Sequence, residues 1–165
     1  MLSSDAEVTG RLQRVVDELE IRRAITDYAA LVDARQWERL RAVLADDVRV
    51  DYHNGRSQVH GAQAVVDYIV ANTAHLAWQH HNVSPYGIDI DGDRASAQAY
   101  LVSHQVIADE PGTVLMMAAT YDLEMARGPK GWQIAHMVHR IMVANYLPIT
   151  TSPPGGAHVP PAVRH

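Results

Sequence analysis

The first third of the chain repeats apolar residues at the spacing that places them along one side of a helix. From residue 19 to residue 32, the apolar positions near that side are Leu19, Ile21, Ile25, Tyr28 and Val32. Charged residues fill many of the other positions, as in a helix that packs one face against a core. The pattern predicts a first helix that ends close to Asp33, where the apolar stretch stops.

Two shorter helices and a strand are predicted next. A second helix that stops before residue 45 is indicated by Leu40, Val43 and Leu44. Residues 48–55 alternate and end in Asn54-Gly55, which predicts a strand followed by a turn. A third helix is predicted over residues 61–75, with an apolar part formed by Val65, Tyr68, Ile69 and Val70.

From residue 87 onward, the apolar period changes from that of a helix to the two-residue period of strands. Residues 87–106 alternate across Gly92 and predict a hairpin, and residues 113–147 predict two longer strands joined by a turn at 128–131. Helices followed by antiparallel strands predict an α+β domain, in which the helices pack on one face of a sheet. His80 and His81 come just ahead of the first of these strands.

The chain is predicted to form one domain with a tail. Its 165 residues are enough for a single core, and its 47% hydrophobic and 20% charged residues are ordinary for a globular protein. We expect the domain to cover residues 1–147. Residues 148–165 hold five of the eight prolines and show no period, so we expect them to be flexible or to cover a cavity or a neighbouring subunit.

Charge and composition exclude several classes of protein. The net charge of −5 and the lack of a basic run argue against nucleic-acid binding. The absence of cysteine excludes disulfides, thiolate nucleophiles and cysteine metal sites. The N-terminus is charged where a signal peptide needs an apolar core, and no run of 18 apolar residues occurs. We therefore expect a soluble, cytoplasmic protein without a membrane partner.

The last predicted strand has mixed side chains on both of its faces. One alternating set contains Trp132, Ile134, His136, Val138, Arg140 and Met142. The other set contains Gln133, Ala135, Met137, His139, Ile141 and Val143. Because neither set is cleanly polar, we expect the helices to cover one face and a second copy of the chain to cover the other, in a homodimer or homotrimer.

Asp33 and the adjacent histidines are the first candidates for chemistry. A carboxylate at a helix C-terminus is disfavoured by the helix dipole, so Asp33 either accepts nearby backbone hydrogen bonds or meets a partner. Successive residues of a strand point to opposite faces, so only one of His80 and His81 can face the interior. A buried histidine is either a satisfied core residue or a functional one. Neither His-x-His nor His-Glu-x-x-His spacing occurs, so we expect no metal site.

Three further side chains can serve either structure or chemistry. Tyr28 and Tyr52 can each donate a hydrogen bond to a substrate oxygen, or they can be ordinary core residues. Arg140 shares a strand face with apolar residues, and a buried arginine needs a partner. That partner is either a carboxylate of the protein or an anionic group on a ligand.

The order of elements and four motifs resemble the SnoaL-like branch of the nuclear transport factor 2-like superfamily. The motifs are YAALVDARQWERL, VRVDYHNG, HHNVSPYGIDIDGDRASA and GWQIAHMVHR. Within the branch, the chain is similar to the bile-acid 7α-dehydratases, the γ-hexachlorocyclohexane dehydrochlorinases and the scytalone dehydratases. The resemblance implies a cone-shaped α+β barrel, with three helices packed on a curved, mainly antiparallel sheet around a cavity.

The same resemblance implies roles for individual residues. Asp33 falls on the family aspartate, and His81 is the histidine twelve residues before the acid of the hairpin turn; together they would form a general-base dyad. Tyr28, Tyr52 and Arg140 match other catalytic residues of the bile-acid enzyme. The expected substrate contacts are His104, which matches a second histidine of scytalone dehydratase, together with Trp78, Met117 and His136.

The activity that the resemblance implies is that of a lyase or isomerase that needs no cofactor. Its substrate would be a hydrophobic, cyclic small molecule, and its reaction a dehydratase-like elimination or a double-bond migration. Two alternatives remain open. The protein could be a non-catalytic partner like the β subunits of ring-hydroxylating dioxygenases, or a polyketide-cyclase or ligand-binding protein of the same fold.

Overall fold

A computed structural model of the chain describes residues 5–149. In chain order its elements are α1 (Asp5–Asp33), α2 (Trp37–Ala42), β1 (Leu44–Tyr52), β2 (Ser57–His60), α3 (Ala62–Thr73), β3 (Leu76–Asp91), β4 (Arg94–Ile107), β5 (Thr113–Gly128) and β6 (Gly131–Pro148). Within residues 5–149, no helix is long and apolar enough to cross a membrane. The predicted tail beyond residue 149 lies outside the described residues.

The six strands form one curved sheet in the order β2-β1-β6-β5-β4-β3. β1 and β6 run parallel, and the other neighbouring pairs run antiparallel. The helices pack against the sheet over a core that includes the fully buried side chains of Ile21, Val65 and Met137. The predicted α+β class is therefore confirmed. Among residues 5–149 the outer strands β2 and β3 do not pair with each other, so the sheet is open rather than a closed barrel.

Several details of the predicted elements are wrong. Leu19 is 62% exposed, because a residue two positions before Ile21 lies about 200° away from it around the helix. Val70 is also exposed, one position away from the buried Ile69. Leu44 is the first residue of β1 rather than part of α2, and the two adjacent histidines lie inside β3 rather than ahead of it.

A β-bulge in β6 explains why both of its faces have mixed side chains. Ile134 pairs with Met125 and His136 pairs with Glu124, which leaves Ala135 as an extra residue between them. One extra residue reverses the face to which the following side chains point, here as far as the next register shift of β6 at Met142. The buried side chains of β6 are consequently Trp132, Ile134, Met137 and His139, which belong to both alternating sets.

Candidate functional site

A cavity of about 310 Å³ lies between α1, α3 and the inner face of the sheet. Its apolar lining consists of Ala29, Val32, Ile69, Leu101, Leu115 and Met117. The tyrosines and histidines that line it are Tyr28, Tyr52, His53, Tyr68, His81, Tyr121 and His139. Among the described residues that line it, none is a lysine, arginine, aspartate or glutamate. The cavity thus offers neutral hydrogen-bonding groups on an otherwise apolar wall.

The end of α1 places Asp33 beside this cavity. The backbone N–H of Gln36 donates to the carbonyl of Leu31 at 2.9 Å, and that of Arg35 donates to the carbonyl of Val32 at 3.1 Å. Together with the positive φ of 53° at Arg35, these two bonds form a Schellman motif. The motif uses the backbone N–H groups of Arg35 and Gln36 on carbonyls of the helix, so these two donors do not occupy the carboxylate of Asp33, which can accept hydrogen bonds from another part of the chain.

Asp33 uses both of its carboxylate oxygens on His81. Its Oδ2 accepts the backbone N–H of His81 at 2.7 Å, and its Oδ1 lies 2.5 Å from Nδ1 of the same residue. Both side chains are close to buried, with 10% and 12% of their surfaces exposed. A carboxylate only accepts hydrogen bonds, so Nδ1 carries a proton. The neutral ring then holds its free lone pair on Nε2.

Of the two adjacent histidines, His81 reaches the cavity and His80 does not. Gln79 and His81 both line the cavity from the inner face of β3. The intervening His80 is exposed on the outer face, where its ring stacks on that of His104 at a centroid distance of 5.9 Å. Since Asp33 does not itself line the cavity, the Nδ1 edge of His81 is turned toward the helix, and the Nε2 edge is left for the cavity.

A pair of tyrosines forms a second polar point in the wall. The hydroxyls of Tyr28 and Tyr52 lie 2.8 Å apart, and the ring of Tyr52 stacks on that of Tyr68 at 4.8 Å. Burial raises the pKa of Tyr28 and of Tyr52 well above the usual range of a phenol. Both hydroxyls therefore keep their protons, so they can act as hydrogen-bond donors near neutral pH.

Comparison with known proteins places this arrangement in a family. The model of the SnoaL-like domain matches residues 13–138. The chain belongs to the SnoaL-like domain family. That family is a branch of the nuclear transport factor 2-like superfamily, as the sequence predicted. An uncharacterised protein of Mycobacterium tuberculosis strain H37Rv is 28% identical to this SnoaL-like domain protein over 137 residues, which are 75% of this chain and 84% of the relative.

Two solved structures with the same fold belong to proteins whose descriptions carry enzyme names. A hexachlorocyclohexane dehydrochlorinase of LinA type 3 from Novosphingobium barchaimii superimposes with a TM-score of 0.75 at 18% identity, covering 87% of this chain and 99% of its own. A scytalone dehydratase-like protein from Novosphingobium aromaticivorans gives a TM-score of 0.74 at 17% identity, covering 88% and 97%. At these identities the likeness establishes the fold alone.

Besides Asp33, four of the predicted site residues do not line the cavity of this SnoaL-like domain. Arg140 points outward because of the bulge in β6, and its Nε donates to Asp122 at 3.0 Å. His136 lies outside for the same reason, with Nε2 at 3.3 Å from Asp51. His104 and Trp78 are the neighbours in sequence of inward-facing residues on β4 and β3, so alternation turns both away. Met117, by contrast, lines the cavity as expected.

Two cavity histidines were missed as site residues. His139 is only 6% exposed and its Nε2 has no hydrogen-bond partner among the described residues. His53 reaches the cavity from the turn after β1, where its φ of 52° and the 60° of Asn54 are left-handed. The side chain of Asn54 exchanges two hydrogen bonds, of 2.7 and 3.2 Å, with the backbone of Ile141 and thereby ties this turn to β6. Sequence periodicity misses His139 because the bulge is invisible to it.

Proposed function

We propose that this SnoaL-like domain is a lyase or isomerase that works without a cofactor on a hydrophobic, cyclic small molecule. The observation that carries the proposal is the carboxylate of Asp33 on Nδ1 of His81, with the opposite edge of the ring left for a mostly apolar cavity. Two proteins of the same fold also carry the names of enzymes that catalyse eliminations, since one is a dehydrochlorinase and the other is scytalone dehydratase-like.

In the proposed reaction, Nε2 of His81 takes a proton from a carbon of the substrate. The electron pair of the broken C–H bond forms a carbon–carbon double bond, and a hydroxide or halide leaves with the electrons of its own bond. In an isomerisation the proton returns instead to a different carbon. The carboxylate of Asp33 holds the ring in the tautomer that can accept the proton, and it stabilises the imidazolium that forms.

The paired hydroxyls of Tyr28 and Tyr52 fit the complementary role of donor. An oxygen of the substrate that gains negative charge as the proton leaves carbon is stabilised by a phenol that keeps its own proton. The raised pKa of both tyrosines favours donation of a hydrogen bond over full loss of a proton. The tyrosine pair therefore contributes to orientation and charge stabilisation, and His81 performs the proton transfer.

Proton abstraction can be tested before the natural substrate is known. Cyclic ketones and β-hydroxy ketones with one or two rings are incubated with the protein in D₂O, and uptake of deuterium next to the carbonyl is followed by NMR. Appearance of a conjugated enone in the ultraviolet spectrum reports elimination in the same samples. We expect exchange that His81→Ala abolishes, a loss of about 10²-fold or more.

His80→Ala is the matched control, since it removes an imidazole from the adjacent residue on the outer face of the same strand. We expect it to retain full exchange activity. Equal loss of activity in both variants would contradict the role assigned to His81. Tight binding of the ketones with no exchange in the unaltered protein would favour a ligand-binding protein of the same fold instead.

We also propose, as the sequence pattern predicted, that the protein forms a homodimer or homotrimer. Apolar side chains remain exposed along the second half of β6, including Met142, Val143, Tyr146 and Leu147. Light scattering at several protein concentrations measures the assembly directly. A monomer at every concentration would contradict this proposal.

A further inference from the structure

His139 has the features of a binding residue that the proton-transfer chemistry does not use. Its ring lines the cavity from β6, and it is 94% removed from solvent. Its Nε2 is buried and has no hydrogen-bond partner among residues 5–149. An unsatisfied buried polar atom costs about 1–3 kcal/mol, so its presence in a folded protein calls for an explanation. The most direct explanation is a group of the ligand that forms a hydrogen bond with Nε2.

The surroundings of His139 keep its ring uncharged. Three aromatic rings, those of Tyr52, His53 and Tyr121, lie around it at centroid distances of 6.3, 5.6 and 5.4 Å. The pKa of His139 is lowered to about 4, chiefly by burial and to a smaller extent by the nearby rings of His53 and His81. At neutral pH, His139 therefore presents a neutral imidazole to the cavity, which can form hydrogen bonds but does not attract an anion.

The rest of the described lining has the same preference for uncharged ligands. It contains no lysine or arginine, and any positive charge on His81 is already balanced by Asp33. A carboxylate or phosphate that entered the cavity would lose its hydration without gaining a counter-charge, which is strongly unfavourable. The side chain that could have supplied a cation, Arg140, lies on the outer face and is paired with Asp122.

We propose that His139 binds a hydroxyl or carbonyl oxygen of the substrate, and that the cavity selects neutral, oxygen-bearing ring compounds and rejects their carboxylate analogues. The inference rests on the proposed function, since it takes the cavity to be the substrate site. His81 and His139 lie on β3 and β6, separated in the sheet by β4 and β5. Because both side chains line the same cavity, one ligand can meet both, with the reacting carbon at His81 and the oxygen at His139.

The size of the cavity narrows the class further. A volume of about 310 Å³ is at the lower end of the range of about 300–1,000 Å³ that small-molecule sites occupy. A compact ligand with one or two fused rings suits that volume better than an extended chain.

The test is a binding experiment, independent of turnover. Dissociation constants are measured by calorimetry or NMR titration for 2-naphthol, 2-tetralone, naphthalene and 2-naphthoate, which share a bicyclic skeleton. We expect the hydroxyl and carbonyl compounds to bind at least tenfold more tightly than naphthalene, and 2-naphthoate to bind most weakly. In His139→Leu, the preference for oxygen over no oxygen should fall to less than threefold, while the affinity for naphthalene is retained. His139→Gln should retain part of the preference for oxygen-bearing ligands, because a neutral amide can form the same kind of hydrogen bond.

His136→Leu is the matched control, as it removes a histidine from the outer face of the same strand. It should leave all four affinities unchanged. Tighter binding of 2-naphthoate than of 2-naphthol, or an unaltered preference in His139→Leu, would overturn the inference. Because the ligands need not react, loss of deuterium exchange in the earlier assay would remove the proposed lyase activity while leaving this binding result to stand or fall separately.

Discussion

Replacement of Asp33 by asparagine should move a proton from one nitrogen of His81 to the other. In the protein, the two carboxylate oxygens accept the backbone N–H and the Nδ1–H of His81 at 2.7 and 2.5 Å. Asparagine offers one oxygen and one NH₂ group in the same space. The backbone N–H always carries its proton, so it retains the amide oxygen, and the NH₂ group then faces Nδ1. Two donors cannot face each other, so Nδ1 gives up its proton and Nε2 becomes the protonated nitrogen.

The expected effects on activity and stability differ in size. With Nε2 protonated, the cavity edge of His81 can no longer accept a proton, so turnover should fall by about 10²–10⁴-fold, the usual contribution of a general base. The fold loses a charge-assisted hydrogen bond worth about 1.5–3 kcal/mol and gains a neutral one worth about 1 kcal/mol. A net loss of about 1–2 kcal/mol lowers Tm by about 2–8 °C for a chain of this length. Asp33→Asn should thus remain folded and become inactive.

The tautomer can be measured without a substrate. Protein labelled with ¹⁵N at histidine is examined by a long-range ¹H–¹⁵N correlation experiment, which distinguishes the protonated from the unprotonated ring nitrogen in the neutral form. His81→Ala identifies the signal that belongs to His81 among the ten histidines. We expect an Nδ1–H tautomer in the protein and an Nε2–H tautomer in Asp33→Asn. An unchanged tautomer in the variant would refute the reasoning, whatever happened to the activity.

Three further predictions concern stability. The pKa of His139 is lowered from its ordinary value of 6.5 to about 4, so the unfolded chain binds a proton more readily than the folded chain does. The free energy of unfolding should therefore be highest above pH 6.5 and fall by about 2 kcal/mol by pH 5, and urea unfolding should find this fall reduced in His139→Leu. Tyr28→Phe leaves the hydroxyl of Tyr52 unpaired, so it should cost about 1–3 kcal/mol, whereas Tyr28→Phe combined with Tyr52→Phe should be at least as stable as either single variant in thermal unfolding. The Arg127 guanidinium, 2.7 Å from Asp17, holds the pKa of that carboxyl at about 2, so the pair stabilises the fold above pH 3.8 and loses its effect as the pH falls toward 2. An acid titration followed by circular dichroism should show a shallower loss of structure between these two pH values for Asp17→Asn than for the unaltered protein.

The sequence predicted those features that depend on local periodicity. The run from Tyr28 to Asp33 keeps its helical spacing to the end of α1, so the position of the aspartate at the helix terminus follows from the pattern alone. Strand alternation established that His80 and His81 must face opposite sides, which the stacking of His80 on His104 at the outer face bears out. It did not determine which of the two faces inward. That choice required the family resemblance, because nothing within the segment sets the register of β3 against the helix.

Features that depend on the register between strands could not be predicted from the sequence. An extra residue at Ala135 leaves no compositional mark, since alanine occurs both inside strands and in bulges. The predicted alternation through β6 left the partner of Arg140 open, and the family resemblance then assigned Arg140 to the site, while His139 was passed over. His104, which the resemblance suggested, and Trp78 were expected to contact the substrate, but each is the neighbour in sequence of a residue that lines the cavity and so faces away from it.

The bulge determines the electrostatic character of the cavity, and not only the identity of one lining residue. Without the extra residue, continued alternation from Ile134 would turn Arg140 inward and His139 outward. A cavity with an inward arginine beside the Asp33–His81 pair would attract anionic substrates and stabilise a departing anion by direct charge. With the bulge, the same stretch of chain presents a neutral imidazole, and the guanidinium is neutralised by Asp122 on the far side of the sheet. Discrimination between neutral and anionic ring compounds therefore follows from a single backbone irregularity, and the naphthol and naphthoate affinities measure it directly.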